Sequence, residues 1–184
     1  MCYNMSMEYL DIIDINGNLT NLLEERKEVH KNGLLHHASG VIFVRKNKNE
    51  YELLSQQRSF NKDKNAGLWD LSASGHIPSG QTPIQSLIRE IKEELGIAVK
   101  ETDLSLLGKF WRNEIHKEDF IENELDYIYV CEKDIDISNI IIQKEEVEDV
   151  KWISINDFKI LLEGNRAVKR KDVWDCLFKY IGNN

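Results

Sequence analysis

Three glutamates, Glu90, Glu93 and Glu94, stand at i, i+3 and i+4 in an otherwise ordinary stretch of sequence. On a helix that spacing puts all three carboxylates on one face. Like charges so close repel, costing an isolated helix a few tenths of a kcal/mol per pair. A divalent cation turns that cost into a binding site, because hard oxygen ligands are what Mg²⁺ and Mn²⁺ take. Two further glutamates, Glu122 and Glu124, are two apart in a strand-like run, so they point to the same side of a sheet.

The helix that must carry the first group is delimited by its own residues. Thr82 and Gln85 have capping-box spacing, and Pro83 falls at the first helical position, where its missing N–H costs nothing. Gly96 stands where a left-handed residue stops a helix. Ile84, Leu87, Ile88, Ile91 and Leu95 recur at helical spacing and form one apolar stripe, away from the carboxylates.

Residues 75–97 read G-H-I-P-S-G-Q-T-P-I-Q-S-L-I-R-E-I-K-E-E-L-G-I. This resembles the Nudix box, G-x5-E-x7-R-E-U-x-E-E-x-G-U, with U aliphatic. Gly75, Arg89, Glu90, Ile91, Glu93, Glu94, Gly96 and Ile97 match; Gln81 replaces the first glutamate. In the family that glutamate mainly pairs with the arginine and supports the loop, so the resemblance implies a tolerated change and a Gln81–Arg89 hydrogen bond. It also implies a metal site of Glu90, Glu93, Glu94 and the Gly75 carbonyl, with Mg²⁺ or Mn²⁺ as cofactor. The expected fold is α/β (α+β), a Nudix-type α/β/α sandwich with a mixed β-sheet.

Around the box, L-L-H-H-A, Q-R-S-F-N-K and G-L-W-D-L-S-A-S-G-H look like the Nudix branch related to isopentenyl-diphosphate isomerase. Arg58 and Lys62 match positions that hold a diphosphate there, and an arginine fork with a point-charge lysine suits two adjacent phosphates. His36 and His76 match metal-ligand histidines, and Glu122 and Glu124 match a paired ligand and acid; His36, His76 and Glu122 are the candidates for a second site. His30, His37 and His116 are read as structural or surface residues, and Trp69 as a loop anchor rather than a stacking platform. In the isomerases a catalytic cysteine precedes the Gly-His pair; here Ser74 does, and a hydroxyl cannot simply take over a thiol's proton transfer. With Glu90, Glu93 and Glu94 all present, the chemistry points to phosphoanhydride hydrolysis of a nucleoside diphosphate-linked or related diphosphate. Glu90, Glu93 and Glu124 are the catalytic candidates; the general base stays open between Glu124 and Glu90, with Glu124 placed first as base and Glu90 first as metal ligand. An isomerase working without the cysteine, a hydrolase of a non-nucleotide diphosphate, and a non-catalytic nucleotide-sensing module are the alternatives.

The whole chain sets compatible bounds. Its 184 residues suffice for one domain with a real core, and residues 1–184 are read as a single unit whose first six residues are a disordered start. A net charge of −8 argues against coating nucleic acid or anionic membranes. No apolar run reaches a membrane span and no leader is evident. Cys2, Cys131 and Cys176 are too scattered for a disulfide framework or a metal knuckle, so a reducing cytoplasm is expected. The partner is then a small-molecule diphosphate, and a homodimer stays open. In order, the patterns predict a hairpin around Asn16-Gly17, a loop or short helix over 24–32, strands over 40–45 and 51–57, and a loop over 58–69. Beyond the box helix come strands over 104–111, 121–130 and 150–153, a capped helix over 155–163 and a closing helix over 167–181.

Overall fold

The computed structural model describes residues 8–182, so the expected disordered start lies outside the described residues. The chain opens with the hairpin β1 (Tyr9–Ile13) and β2 (Leu19–Glu25). Gly17 takes φ +82° in its turn, and Asp14 accepts from the N–H groups of Asn16 and Asn18 at 2.8 and 2.9 Å. A short helix, α1 (Arg26–Asn32), follows and stops at Gly33, φ +60°. Then come β3 (His36–Asn47), β4 (Glu50–Arg58), β5 (Trp69–Asp70) and β6 (Ala73–His76). The box helix α2 (Pro83–Leu95) leads to the hairpin β7 (Ser105–Lys117) and β8 (Phe120–Cys131), then β9 (Val147–Ser154), α3 (Ile155–Glu163) and α4 (Lys171–Gly182).

β3 is the hub of a mixed sheet. It pairs antiparallel with β4 and β6, and parallel with β8. β7 extends the sheet beyond β8, and β9 extends it beyond β4. Several strands are longer than the sequence pattern predicts: β9 spans Val147–Ser154, β3 begins at His36 and β7 runs on to Lys117. The extensions of β3 and β7 lack strong strand propensity, and ladder hydrogen bonds to β8 hold them extended.

Alternate residues of β3 feed two cores, one on each face of the sheet. Val41 and Phe43 meet Leu87, Ile91 and Leu95 of α2, all fully buried. Ile42 and Val44 meet Phe158 of α3 and Trp174 and Leu177 of α4. Each such side chain contributes about 1.5–3 kcal/mol relative to exposure. The result is helix, sheet, helix, as the Nudix resemblance implies. The ends of α2 are as its sequence predicts. Thr82 and Gln85 form the reciprocal capping box, Pro83 opens the helix, and Gly96 closes it at φ +68°.

Candidate active site

Pinned by its apolar stripe, α2 lays its polar face along the edge of β6. Gly75 of β6 lies directly beneath Glu90; a Cβ there would overlap the carboxyl. Glu94 is buried, its Oε2 accepting from the Ser74 N–H and from Gln56 Nε2, both at 3.3 Å. Burial, reinforced by the charges of Glu90 and Glu146, raises its pKa well above the usual carboxylate range. Burial also pushes Glu90 up to about 7, against the pull of Arg89. Glu93 is half-exposed and turned onto Arg89 at 2.6 Å, so the three carboxylates share a helix face but not one environment. A buried and a half-buried carboxyl that resist ionisation beside a backbone-lined notch fit a divalent cation, which would reverse the cost of their charge.

The expected Gln81–Arg89 hydrogen bond is absent. Arg89 donates to Glu90 at 2.7 Å and to Glu93 at 2.6 Å, while the Gln81 side chain stands exposed ahead of the helix. The nearer glutamates carry full charge and share the helix with Arg89, so they outbid a neutral amide. Gln81→Glu is therefore expected to leave the Mg²⁺ dependence of activity unchanged and to stabilise the fold by at most ~0.3–1 kcal/mol through the helix dipole. Thermal melts and a Mg²⁺ titration of both proteins check this; a severalfold tighter Mg²⁺ response would make the position a lost ligand.

A second cluster forms where β3, β6, β8 and α1 meet. The parallel register sets His36 opposite Glu124, and the antiparallel one sets His76 opposite Ala38. His36 Nε2 and His76 Nε2 each lie 3.4 Å from Glu124 Oε1. His30, read from sequence as structural or surface, is buried in this group, its Nε2 3.1 Å from His76 Nε2. The ligand atoms of His30, His36, His76 and Glu124 all lie within 4.8 Å of one another.

The tautomers point the same way. His30 Nδ1 and His36 Nδ1 face the carbonyls of Ile121 and Leu34 at 3.2 and 2.9 Å. A carbonyl only accepts, so each Nδ1 carries the proton and each Nε2 presents a lone pair to the cluster. His36 Nε2 and Glu124 Oε1 are buried without hydrogen-bond partners. Burial, with His36 close by, lowers His30 to about 4, and burial takes His76 well below its ordinary value, so both are neutral imidazoles at pH 7. Burial opposes ionisation of Glu124, but the Arg112 guanidinium beside it holds its carboxyl well below the usual range. Neutral imidazoles and an ionised carboxylate converging with orphaned lone pairs fit a transition-metal ion.

Glu122, grouped with these residues in the sequence, turns elsewhere. Its carboxylate pairs with Lys64, with Arg112 at 3.0 Å and with His116 at 2.7 Å. His116 also lies 3.5 Å from Glu114. His37 stands apart, edge-on to Tyr127. Trp69 packs on the α3/α4 core and exchanges backbone hydrogen bonds with the segment ahead of α4, the anchor role expected of it.

Both clusters open onto one cavity of about 640 Å³, which Arg58 and Lys62 also line. Arg58 lies 3.6 Å from Asp70, and Lys62 pairs with Glu146. A chain of charged groups with little exposure then runs along the floor. Arg170 donates to both oxygens of Asp70, at 3.0 and 3.3 Å, and to Asp126 at 3.0 Å; Arg112 spans Asp126, Glu124 and Glu122. The alternation of Glu122, Glu124 and Asp126 was a signal for a third inward carboxylate. Arg112 and Arg170 had none, since only the sheet and the α4 docking bring them here.

The model of the NUDIX domain matches residues 34–173. Nudix hydrolase 3 of Arabidopsis thaliana is 33% identical over 86% of this chain, which spans only 21% of that protein's length. A Nudix hydrolase of Clostridium acetobutylicum is also 33% identical, over 86% of this chain and 76% of its own. An isopentenyl-diphosphate Delta-isomerase of Photobacterium profundum is 29% identical over 83% of each chain. Among solved structures, a Deinococcus radiodurans protein superposes with a TM-score of 0.70 at 15% identity, covering 94% of this chain and 98% of that one. The NUDIX domain of Shewanella oneidensis NrtR, solved with ADP ribose, gives 0.60 at 18% identity, covering 80% and 87%.

Proposed function

This chain belongs to the Nudix family, and we propose that it hydrolyses a phosphoanhydride bond in a nucleoside diphosphate-linked or related diphosphate, dependent on Mg²⁺ or Mn²⁺. The observation that supports this best is the pairing of Glu90 and Glu94 over Gly75 in the cavity that Arg58 and Lys62 line. Glu90, Glu94 and the Gly75 carbonyl would hold the box cation, with Glu93 joining by leaving Arg89; His30, His36, His76 and Glu124 would hold a second ion. When bound, such ions supply Lewis-acid polarisation of phosphate oxygens and neutralise charge that develops during displacement.

The remaining work falls to the chain's own groups. Arg58 and Lys62 bind the diphosphate, exchanging Asp70 and Glu146 for phosphate oxygens. Glu90 is the better general base: Arg112 holds Glu124 ionised too far down to take a proton readily, while Glu90 lines the same cavity beside Arg89. Arg89 holds Glu90 at 2.7 Å and aims its carboxylate at the cavity. Ser74, where the isomerases carry cysteine, has its N–H committed to Glu94. The resemblance to isomerases keeps that activity as the second reading.

A screen of diphosphate compounds with Mg²⁺ and then Mn²⁺, reading released phosphate or monophosphate, tests the proposal. Release from at least one compound, abolished by chelator, is expected; interconversion of isopentenyl isomers without release would favour the second reading. Protons compete with the cation for Glu90 and Glu94, so apparent Mg²⁺ affinity is expected to rise with pH, most steeply below about 7, where both carboxyls hold protons. Mg²⁺ titrations across pH 5.5 to 8.5, roughly centred on that pKa, check the sign; a flat profile would remove Glu90 from the site.

A further inference from the structure

We propose that the inner end of the cavity recognises a second oxyanion, a carboxylate or phosphate on the group the diphosphate carries, through Lys64, Arg112 and Arg170. This rests on the diphosphate reading above and narrows its substrate class. Three cations reach the cavity from three separate elements: Lys64 from the loop between β4 and β5, Arg112 from β7, and Arg170 from the segment ahead of α4. Their side chains are only 16%, 12% and 7% exposed. They are close enough to feel one another. Burial lowers Lys64 to about 7, and Arg112, Arg58 and Arg170 add to the shift against the opposing pull of Glu124.

Like charges gathered in a poorly hydrated space need counter-charge. Here Glu122, Glu124, Asp126 and Asp70 supply it. Glu124 also belongs to the histidine cluster, where a bound cation would draw on the same carboxylate and leave Arg112 and Lys64 under-compensated. Donors remain to be used as well. Arg112 Nε is buried without a hydrogen-bond partner, 3.4 Å from Asp126, and a lysine ammonium has three protons to give. An oxyanion from the substrate restores the balance and takes these donors.

A hydrocarbon group fits the same end badly. Apolar residues are a minority of the cavity's lining, Tyr9, Ala38, Leu71, Pro78 and Ile128, and methyl groups would displace water from three cations without replacing its hydrogen bonds. Reactions that build positive charge on the substrate's carbon skeleton would be opposed by the same three groups.

The test uses non-hydrolysable methylenebisphosphonate and its monoesters bearing an isopentyl, an ω-carboxyalkyl or an ω-phosphonooxyalkyl group of equal length, titrated calorimetrically into the Mg²⁺-loaded protein. One or both oxyanion probes are expected to bind about tenfold more tightly than the isopentyl probe, and the stronger of the two identifies the oxyanion. Lys64→Met is expected to cut that preference severalfold. If Lys64→Met fails to fold, the wild-type ratio still decides. An isopentyl probe that binds as tightly as the stronger oxyanion probe overturns the inference alone. Failure of every compound to bind, methylenebisphosphonate included, overturns the diphosphate reading with it.

Discussion

Glu94→Gln is expected to fold as well as the wild type and to lose kcat by about 10²–10³, the cost of removing a preorganised charge-stabilising group. The two halves of that result have one cause. Glu94 is buried, and without a cation burial favours its neutral form well beyond the usual carboxylate range. Glutamine has the same shape and keeps an oxygen to accept from the Ser74 N–H. Its melting temperature without metal should match or slightly exceed that of the wild type, since a group that burial penalises is gone. Adding Mg²⁺ should raise the wild-type melting temperature and leave the variant's nearly unmoved, because only a form that binds ligand is stabilised by it. Near-wild-type turnover at saturating Mg²⁺ would sink the assignment of Glu94 to the cation.

Arg170→Met should be the most destabilising single change outside the hydrophobic cores, by about 3–5 kcal/mol, the usual cost of removing one partner from a buried ion pair. Asp70 and Asp126 are 1% and 3% exposed, and Arg170 donates to both. Arg58 at 3.6 Å is too distant to satisfy Asp70 by itself. For a domain of this size the loss corresponds to a melting point lower by on the order of 10 °C. The loss should also depend on pH. In the wild type, burial opposes ionisation of Asp70 but Arg170 and Arg58 outweigh it, so its pKa lies below the unfolded value. That contribution is present above the unfolded pKa and fades as the solution is acidified. Without Arg170 the buried carboxylate prefers to be protonated, which reverses the sign, so the variant's deficit should grow from acid to neutral pH. Asp70→Asn in the Arg170→Met background should recover part of it. A melting point within ~2 °C of wild type at pH 7 would show that the chain of charges contributes little to stability.

The box helix was legible because everything that makes it is local. Its caps, Thr82 and Gly96, its apolar stripe and its i, i+3, i+4 carboxylates lie within a few turns of one another, where short-range sterics and hydrogen bonds decide. The mixed sandwich was legible for a similar reason, since each element announces its period. What the sequence could not order was the difference among the three glutamates. Glu94 is sealed by Gln56 and Ser74, Glu90 is half-sealed over Gly75, and Glu93 is left to solvent and Arg89.

His30 shows the limit most plainly. In sequence it is one polar residue in a polar run, and α1 has too few apolar residues to announce its buried side. Its role follows from long-range geometry. Gly33 turns the chain so that Asn123 can donate to its carbonyl at 3.0 Å, which sets α1 against β8 and carries His30 to His76. The parallel register of β3 and β8 brings Glu124 opposite His36, and a shift of one residue would turn every side chain to the other face. Arg112 and Arg170 enter the cavity on the same terms, through strand pairing and the docking of α4. The sequence alone determined the box helix, its caps, its carboxylates and the family. Tertiary structure decided which carboxylates are buried, which histidines converge and which cations face the substrate, because burial and pairing across the sheet are set by contacts between residues far apart in the chain.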